Sequence, residues 1–410
     1  MKKAIHFHMI EGKSLGFGAL LAFFGALIAI GLGAAYYMEH NGHWVTGMTN
    51  KVIWGTPHVF AVFLIVAASG ALNVASIASA FNRAAYKPLA RLSAVLAITL
   101  LVGGLAVLVL DLGRPDRLIV AMTYYNFKSI FAWNIYLYTG FMGIVAVYIW
   151  VMMDNSVRQY YKAAGIAAFI WRLALTTGTG SIFGFLVARQ AYDAAIMAPM
   201  FIIMSFSFGL AIFLLVLMVS MKCTGRALGD RILNRLKNLL GVFVAAVMYF
   251  VLVYHLTNLY GTENHGVERF ILMDGGIYTK LFWIGQVLVG GVIPLVLLFS
   301  PLSRSRAVIA LAAILVIIGG LAQMYVIIIG GQAYPLLMFP GMEVSSSFQD
   351  GSVAAYAPSL PEILLGLGGV GIALAATTFA MKVLPLLPET LADAEVDPHY
   401  KEETPAPEAA

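Results

Sequence analysis

The sequence predicts an all-α integral membrane protein, and three observations carry that expectation. Of its 410 residues 61% are hydrophobic and only 11% charged, against roughly 25% charged in a soluble domain. Mean hydropathy is +0.88. The apolar residues are gathered into long runs, each close to the ~20 residues that a helix needs to cross a bilayer.

Ten such spans are expected, at about residues 14–38, 57–80, 91–111, 129–152, 163–187, 196–221, 239–260, 277–299, 306–330 and 361–384. The first follows Lys2, Lys3 and Lys13 and outruns the ~7–15-residue apolar region of a secretory leader, so it is read as a retained span. The second begins after Trp54-Gly55-Thr56-Pro57. The third ends at Asp111-Leu112-Gly113-Arg114-Pro115, where Gly113 can supply a left-handed cap and Pro115 stops the helix. The fourth opens on Trp133-Asn134. The fifth is the most polar, with Arg172 and a Thr/Gly/Ser cluster at 176–181. No soluble domain or internal repeat interrupts the series, so residues 1–384 form one polytopic domain. Residues 385–410, rich in Pro, Ala and Glu with seven acids and one lysine, are expected to be a disordered acidic tail.

Lys and Arg placement gives the orientation. With the N-terminus inside, seventeen basic residues fall on the inner segments and seven on the outer, with Arg172 inside a span. Both termini are therefore expected to be cytoplasmic. The outer connections 39–56, 112–128, 261–276 and 331–360 are mostly long, as functional loops often are. The last has no Lys or Arg and suits a docking surface. Arg114, Arg117 and Lys128 lie outside against the trend, which singles out the 111–134 stretch.

The single cysteine, Cys223, removes disulfide, iron–sulfur and CxxC chemistry from this chain, and no role is assigned to it. Electrons handled here must sit on a quinone, on a histidine-held haem, or on another subunit. Asp111, in the last turn of span three, is read in two ways: a cap residue paired with Arg114, or a proton-exchanging group at a pocket rim. His58 opens a polar stripe on span two, since Ser69, Asn73 and Ser76 fall about 20°, 60° and 0° from it around the helix. Span five offers a matching stripe of Arg172, Thr176 and Thr179. Both stripes are open to a packing role or a proton path. His58 and His255, at similar depth, suit one shared haem, hydrogen bonds to a quinone, or unrelated core positions. Tyr124, Tyr125, Trp133 and Tyr138 read as an interfacial aromatic belt, or, for Tyr124, Tyr125, Asn126 and Asn134, as donors around an amphipathic ligand. His40 and His43 lack the acidic or thiol partners of a metal site, and none is expected.

The ten-span layout, Trp54-Gly-x-Pro before span two, Leu110-Asp-Leu-Gly-Arg-Pro115 after span three and Trp133-Asn134 in span four resemble the polysulfide-reductase membrane subunits (NrfD/PsrC-like). The nearest branch is the DsrP subunit of the DsrMKJOP complex of sulfur-metabolising bacteria. The resemblance implies two four-helix bundles plus two extra helices in a bacterial inner membrane. It implies a menaquinone or ubiquinone site near the outer ends of spans two to five. His58, Arg114, Tyr124, Tyr125 and Asn134 are placed there as quinone-binding residues, with His58 or Asp111 handling the proton. Ser69, Asn73, Ser76, Arg172, Thr176 and Thr179 are then candidates for a proton path. The implied partners are lipid, an extracytoplasmic ferredoxin-like iron–sulfur protein, a multihaem cytochrome c and other membrane subunits, with no nucleic acid. The rival readings are a b-type cytochrome with His58 and His255 on haem b, an ion-conducting subunit, and a passive membrane anchor.

Overall fold

The computed structural model describes residues 5–336 and 351–396. Ten helices there are long and apolar enough to span a membrane: α1 Leu15–Asn41, α2 Thr56–Ser79, α3 Ala84–Leu110, α4 Ile130–Met153, α5 Asn155–Gly184, α6 Met197–Cys223, α7 Asp230–Tyr260, α8 Ile277–Phe299, α9 Arg306–Ala333 and α10 Leu360–Val383. Each matches one expected span, and the protein is a multi-pass integral membrane protein. The largest shift in a boundary is at α7, which starts at Asp230 rather than 239. The added turns are amphipathic. Ile232, Leu233 and Leu236 are buried between charged residues that face away, so a hydropathy window undercounts them.

Helices α2 to α5 pack on one another as a first four-helix bundle, and α6 to α9 form a second. The extra pair, α1 and α10, lies against α2 and α3. α2 is the central post: 89% of its most apolar window is buried, against 11% for α1. An apolar side chain gains nothing by leaving lipid for a protein interior, so helices in a membrane associate through close backbone packing. The glycines at the contacts show this. Gly70 of α2 meets the Ser205 carbonyl and Gly209 of α6, joining the bundles, and Gly31 of α1 meets Gly368 of α10.

Both chain ends meet at the same face, as ten spans require. Phe7–His8 pairs antiparallel with Leu387–Pro388, and Arg226 donates to the carbonyls of Leu387 and Pro388 at 3.0 and 3.1 Å. Leu386, Leu387 and Leu391 are buried. The chain from Pro385 to Val396 is thus ordered, contrary to the expectation of a loose tail from 385. Averaged composition hid three leucines that have a surface to cover. Residues 397–410, and residues 337–350 of the basic-free loop at 331–360, lie outside the described residues.

Candidate functional site

At the face opposite the chain ends, the end of α3 meets the start of α2. Asp111 caps α3, and its side chain is 1% exposed; His58 Nδ1 stands 2.9 Å from its Oδ2. The pair is close but not aligned for a hydrogen bond, so His58 Nδ1 and both Asp111 oxygens lack one among protein atoms. His43 approaches from the turn of chain after α1: its ring lies against Gly113, two residues on from Asp111, and its buried Nε2 is also without a partner. Buried polar atoms are nearly always satisfied, so three such residues gathered together mark a place where something else bonds.

Aromatic rings wall the place. Trp54 stacks on His58 at 6.1 Å and meets Phe131, Phe183 and Tyr192 at 5.9, 5.9 and 6.4 Å. The strap that carries Trp54 into α2 is fixed by residues remote in sequence. Gln332 Oε1 accepts the amides of Ile53 and Trp54, both at 3.0 Å, and its Nε2 donates to the Trp54 carbonyl at 2.9 Å. Arg189 donates to the Lys51 and Gln332 carbonyls. Tyr356 accepts the Thr56 amide at 2.7 Å and donates to Glu362 at 2.6 Å, and Glu362 also accepts the Gly47 amide. Burial, and then the bond to Glu362, push the Tyr356 hydroxyl above the usual tyrosine range, so that hydroxyl remains a donor through neutral pH.

The structure corrects the pairing of Asp111 with Arg114. Gly113 has φ +68°, and the turn it makes sends Arg114 to the surface. There Arg114 binds Asp116 at 2.9 and 3.0 Å, which raises the pKa of the guanidinium and lowers that of the carboxyl. Tyr124 is 87% exposed, and Tyr125 packs at a tilt against Phe127 and Tyr136, whereas the ring that His58 meets is Trp54. Asn134 is buried and fully engaged, donating to the Ile130 and Gly178 carbonyls and accepting from Thr179. It ties α4 to α5, leaving no free donor for a ligand.

The two polar stripes do meet. Ser69 and Thr176 hydroxyls are 2.6 Å apart, and the Arg172 guanidinium donates to Asn73 Oδ1 at 3.0 Å and to the Ser69 carbonyl at 3.3 Å. Arg172 is 0% exposed and sits between the Phe169 and Phe206 rings; no carboxylate pairs with it among the described residues. Thr179 adjoins Tyr138, and Ser76 bonds the carbonyl of its own helix at Leu72. The stripe does not run unbroken to His58, because residues 59–68 are all apolar. His255 has other company: its Nδ1 lies 2.7 Å from Glu268, and its ring abuts Tyr254 and Phe282. His58 and His255 thus each face their own carboxylate, on different bundles.

Sequence reasoning missed His43, Gln332, Glu268 and the Glu362–Tyr356 clamp. The only local signal was an acid at the start of a span, as at Glu362, which a hydropathy argument passes over.

Comparison with known proteins agrees with this architecture. The family model described as "Polysulphide reductase, NrfD" matches residues 44–335. The chain is 28% identical to the Hdr-like menaquinol oxidoreductase integral membrane subunit of Archaeoglobus fulgidus, over 96% of this chain and 100% of that protein. It is 22% identical to the menaquinone reductase integral membrane subunit of Nitratidesulfovibrio vulgaris, over 90% and 91%. It is 24% identical to the C subunit of the Wolinella succinogenes polysulfide reductase, over 70% and 96%.

Proposed function

This chain belongs to the polysulphide reductase NrfD family, and on that premise we propose that it is the quinone-interacting membrane subunit of a multisubunit oxidoreductase, taking menaquinone against His58 and Asp111. The observation that carries the reading is the hydrogen-bond-deficient pair of half-buried His58 and buried Asp111 beside Trp54. The names of two relatives, a menaquinol oxidoreductase subunit and a menaquinone reductase subunit, support the ligand class.

The residues fit such a molecule. A quinone head is flat and apolar with two oxygens, and it wants an aromatic wall and a few convergent polar groups. Trp54, Phe131 and Phe183 supply the wall, and His58, Asp111 and His43 carry the unpartnered polar atoms. When bound, the quinone supplies a two-electron, two-proton couple. The chain supplies the proton handling. A proton placed on His58 is held against the Asp111 carboxylate 2.9 Å away, so the loaded pair is neutral and the emptied pair carries one negative charge. His58 accepts one of the two protons when the ligand is oxidised and returns it when the ligand is reduced, while the other exchanges with solvent at the exposed edge of the site, where the His58 side chain is 20% exposed. Tyr356, Glu362 and Gln332 hold the strap so that this geometry exists before the ligand arrives.

The electrons leave or enter at the site's own face, where a docked iron–sulfur subunit suits a chain with a single cysteine. With both termini cytoplasmic, that face is the outer one. The test is quinol oxidation by the assembled complex carrying His58→Gln or Asp111→Asn. Loss of positioned acid–base chemistry predicts turnover lower by about 10²–10⁴-fold, with the complex still assembled. Wild-type turnover in both variants refutes the assignment.

A further inference from the structure

The second bundle contains a buried acid that the quinone site does not use. Glu268 is 0% exposed. Its Oε2 lies 2.7 Å from His255 Nδ1, and its Oε1 accepts from Asn258 Nδ2 at 2.8 Å. Arg269, next in the chain, is exposed and turned to Asp274, and among the described residues the ion-pair partner of Glu268 is His255, with no lysine or arginine beside it. A buried carboxylate without a cation is costly.

The His255 side of this pair opens on a mostly apolar cavity of about 30 Å³, room for at least one water at the roughly 10–15 Å³ each needs. Gln286 and Gln323 line it too, and the buried Nε2 of Gln323 has no partner. The same two glutamines border a second cavity of about 10 Å³, which reaches Val244 and Ser207. His255 and Val244 lie eleven residues apart on α7, so the two cavities together reach roughly 16 Å along the bundle at 1.5 Å per residue.

The backbone is unusual at the same place. The π-helical stretches among the described residues are Phe270–Asp274, Leu281–Val292 and Val326–Gly330, and each contributes to the first cavity, through Ile271, Gln286 and Val326. Widened turns of this kind concentrate at functional sites. Three separate helical segments thus widen around the one cavity that His255 lines.

We propose that His255 and Glu268 form a second, proton-binding site, hydrated through the Gln286–Gln323 cavities and separate from the quinone pocket. The proton binds at His255 Nε2 while Nδ1–H stays on the ionised Glu268, which makes the loaded pair neutral. Release from Nε2 leaves imidazole and carboxylate, with one negative charge that cavity water solvates. The same water is the donor and acceptor of that proton. The other titratable groups packed nearby are tyrosines. Tyr254 donates to the Ala191 carbonyl, and Tyr278 stacks between Phe270 and Tyr325. Glu362 lies beyond them, bonded to Tyr356, whose ring packs at a tilt against Tyr325. Tyr192, beside Ala191, stacks on Trp54 of the first site, so the two sites share a wall.

Infrared difference spectra of the assembled complex test this, recorded across about pH 5–9, from the imidazole range to the upper limit known for buried carboxylates. Wild type is expected to show a titrating imidazole signal that His255→Gln removes and His58→Gln leaves in place, with one proton fewer bound per subunit in the first variant. Equal proton binding by wild type and His255→Gln overturns the proposal. Should that variant fail to assemble, transfer of the wild-type complex into D₂O decides. Exchange of the His255–Glu268 bands within minutes, slowed at least tenfold by Gln323→Leu, supports a hydrated site. Bands that stay unexchanged for hours overturn it.

Discussion

Replacing Gln332 by leucine tests whether a residue far from the His58–Asp111 pair sets its geometry. Gln332 is 2% exposed and makes four hydrogen bonds, three to the backbone of Ile53 and Trp54 and one to the Ile328 carbonyl at 2.8 Å. Leucine nearly matches its volume, so the perturbation is polar rather than a cavity. The Ile53 amide can regain water, because Ile53 is 55% exposed. The Trp54 amide and carbonyl are left short, at about 1–3 kcal/mol for each orphaned group, which sums to about 2–6 kcal/mol on one loop. Arg189 and Tyr356 still hold the ends of the strap at Lys51 and Thr56, so its middle loosens while the fold survives. A displacement of about 1 Å in a positioning element costs on the order of 10²-fold in rate. Quinol oxidation by the complex is therefore expected to fall about 10–100-fold, with KM rising as Trp54 loses its place. Unchanged kcat and KM in Gln332→Leu refute the claim that this clamp positions the site.

Gly70→Ala sets a methyl against the Ser205 backbone carbonyl at the junction of the bundles. Overpacking of about 1–3 kcal/mol or more is expected to lower the thermal midpoint by several degrees, measured on the purified subunit. Arg172→Lys is expected to lower it as well, because an ammonium cannot reproduce the planar contact with two rings and two acceptors that the guanidinium makes; an unchanged midpoint contradicts a structural role for Arg172.

Part of the site is legible in the residues themselves. His58 and Asp111 stand out because ionisable groups at membrane depth are rare and costly, and the structure places them 2.9 Å apart. The stripes on α2 and α5 follow from helical spacing, and Ser69, Asn73, Arg172 and Thr176 do meet. Arg114 misled because three residues of separation implies contact only along a continuing helix, and Gly113 ends this one. Tyr124 misled because its side chain stands in the open, 87% exposed, and Asn134 for the opposite reason. Residue type fixes what a side chain can donate, and the neighbours decide whether the donor is already taken, as Asn134 shows.

The sequence by itself determined the membrane class, the ten spans and the absence of a cysteine-held cluster, because each depends only on local hydropathy and composition. Tertiary structure alone decided which polar groups face one another. Gln332 reaches Trp54, Glu362 reaches Gly47 and Glu268 reaches His255, across separations that no periodicity encodes. In lipid the apolar faces of helices are nearly interchangeable, so partner choice falls to glycine contacts and buried hydrogen bonds. Those exist only once the helices have packed.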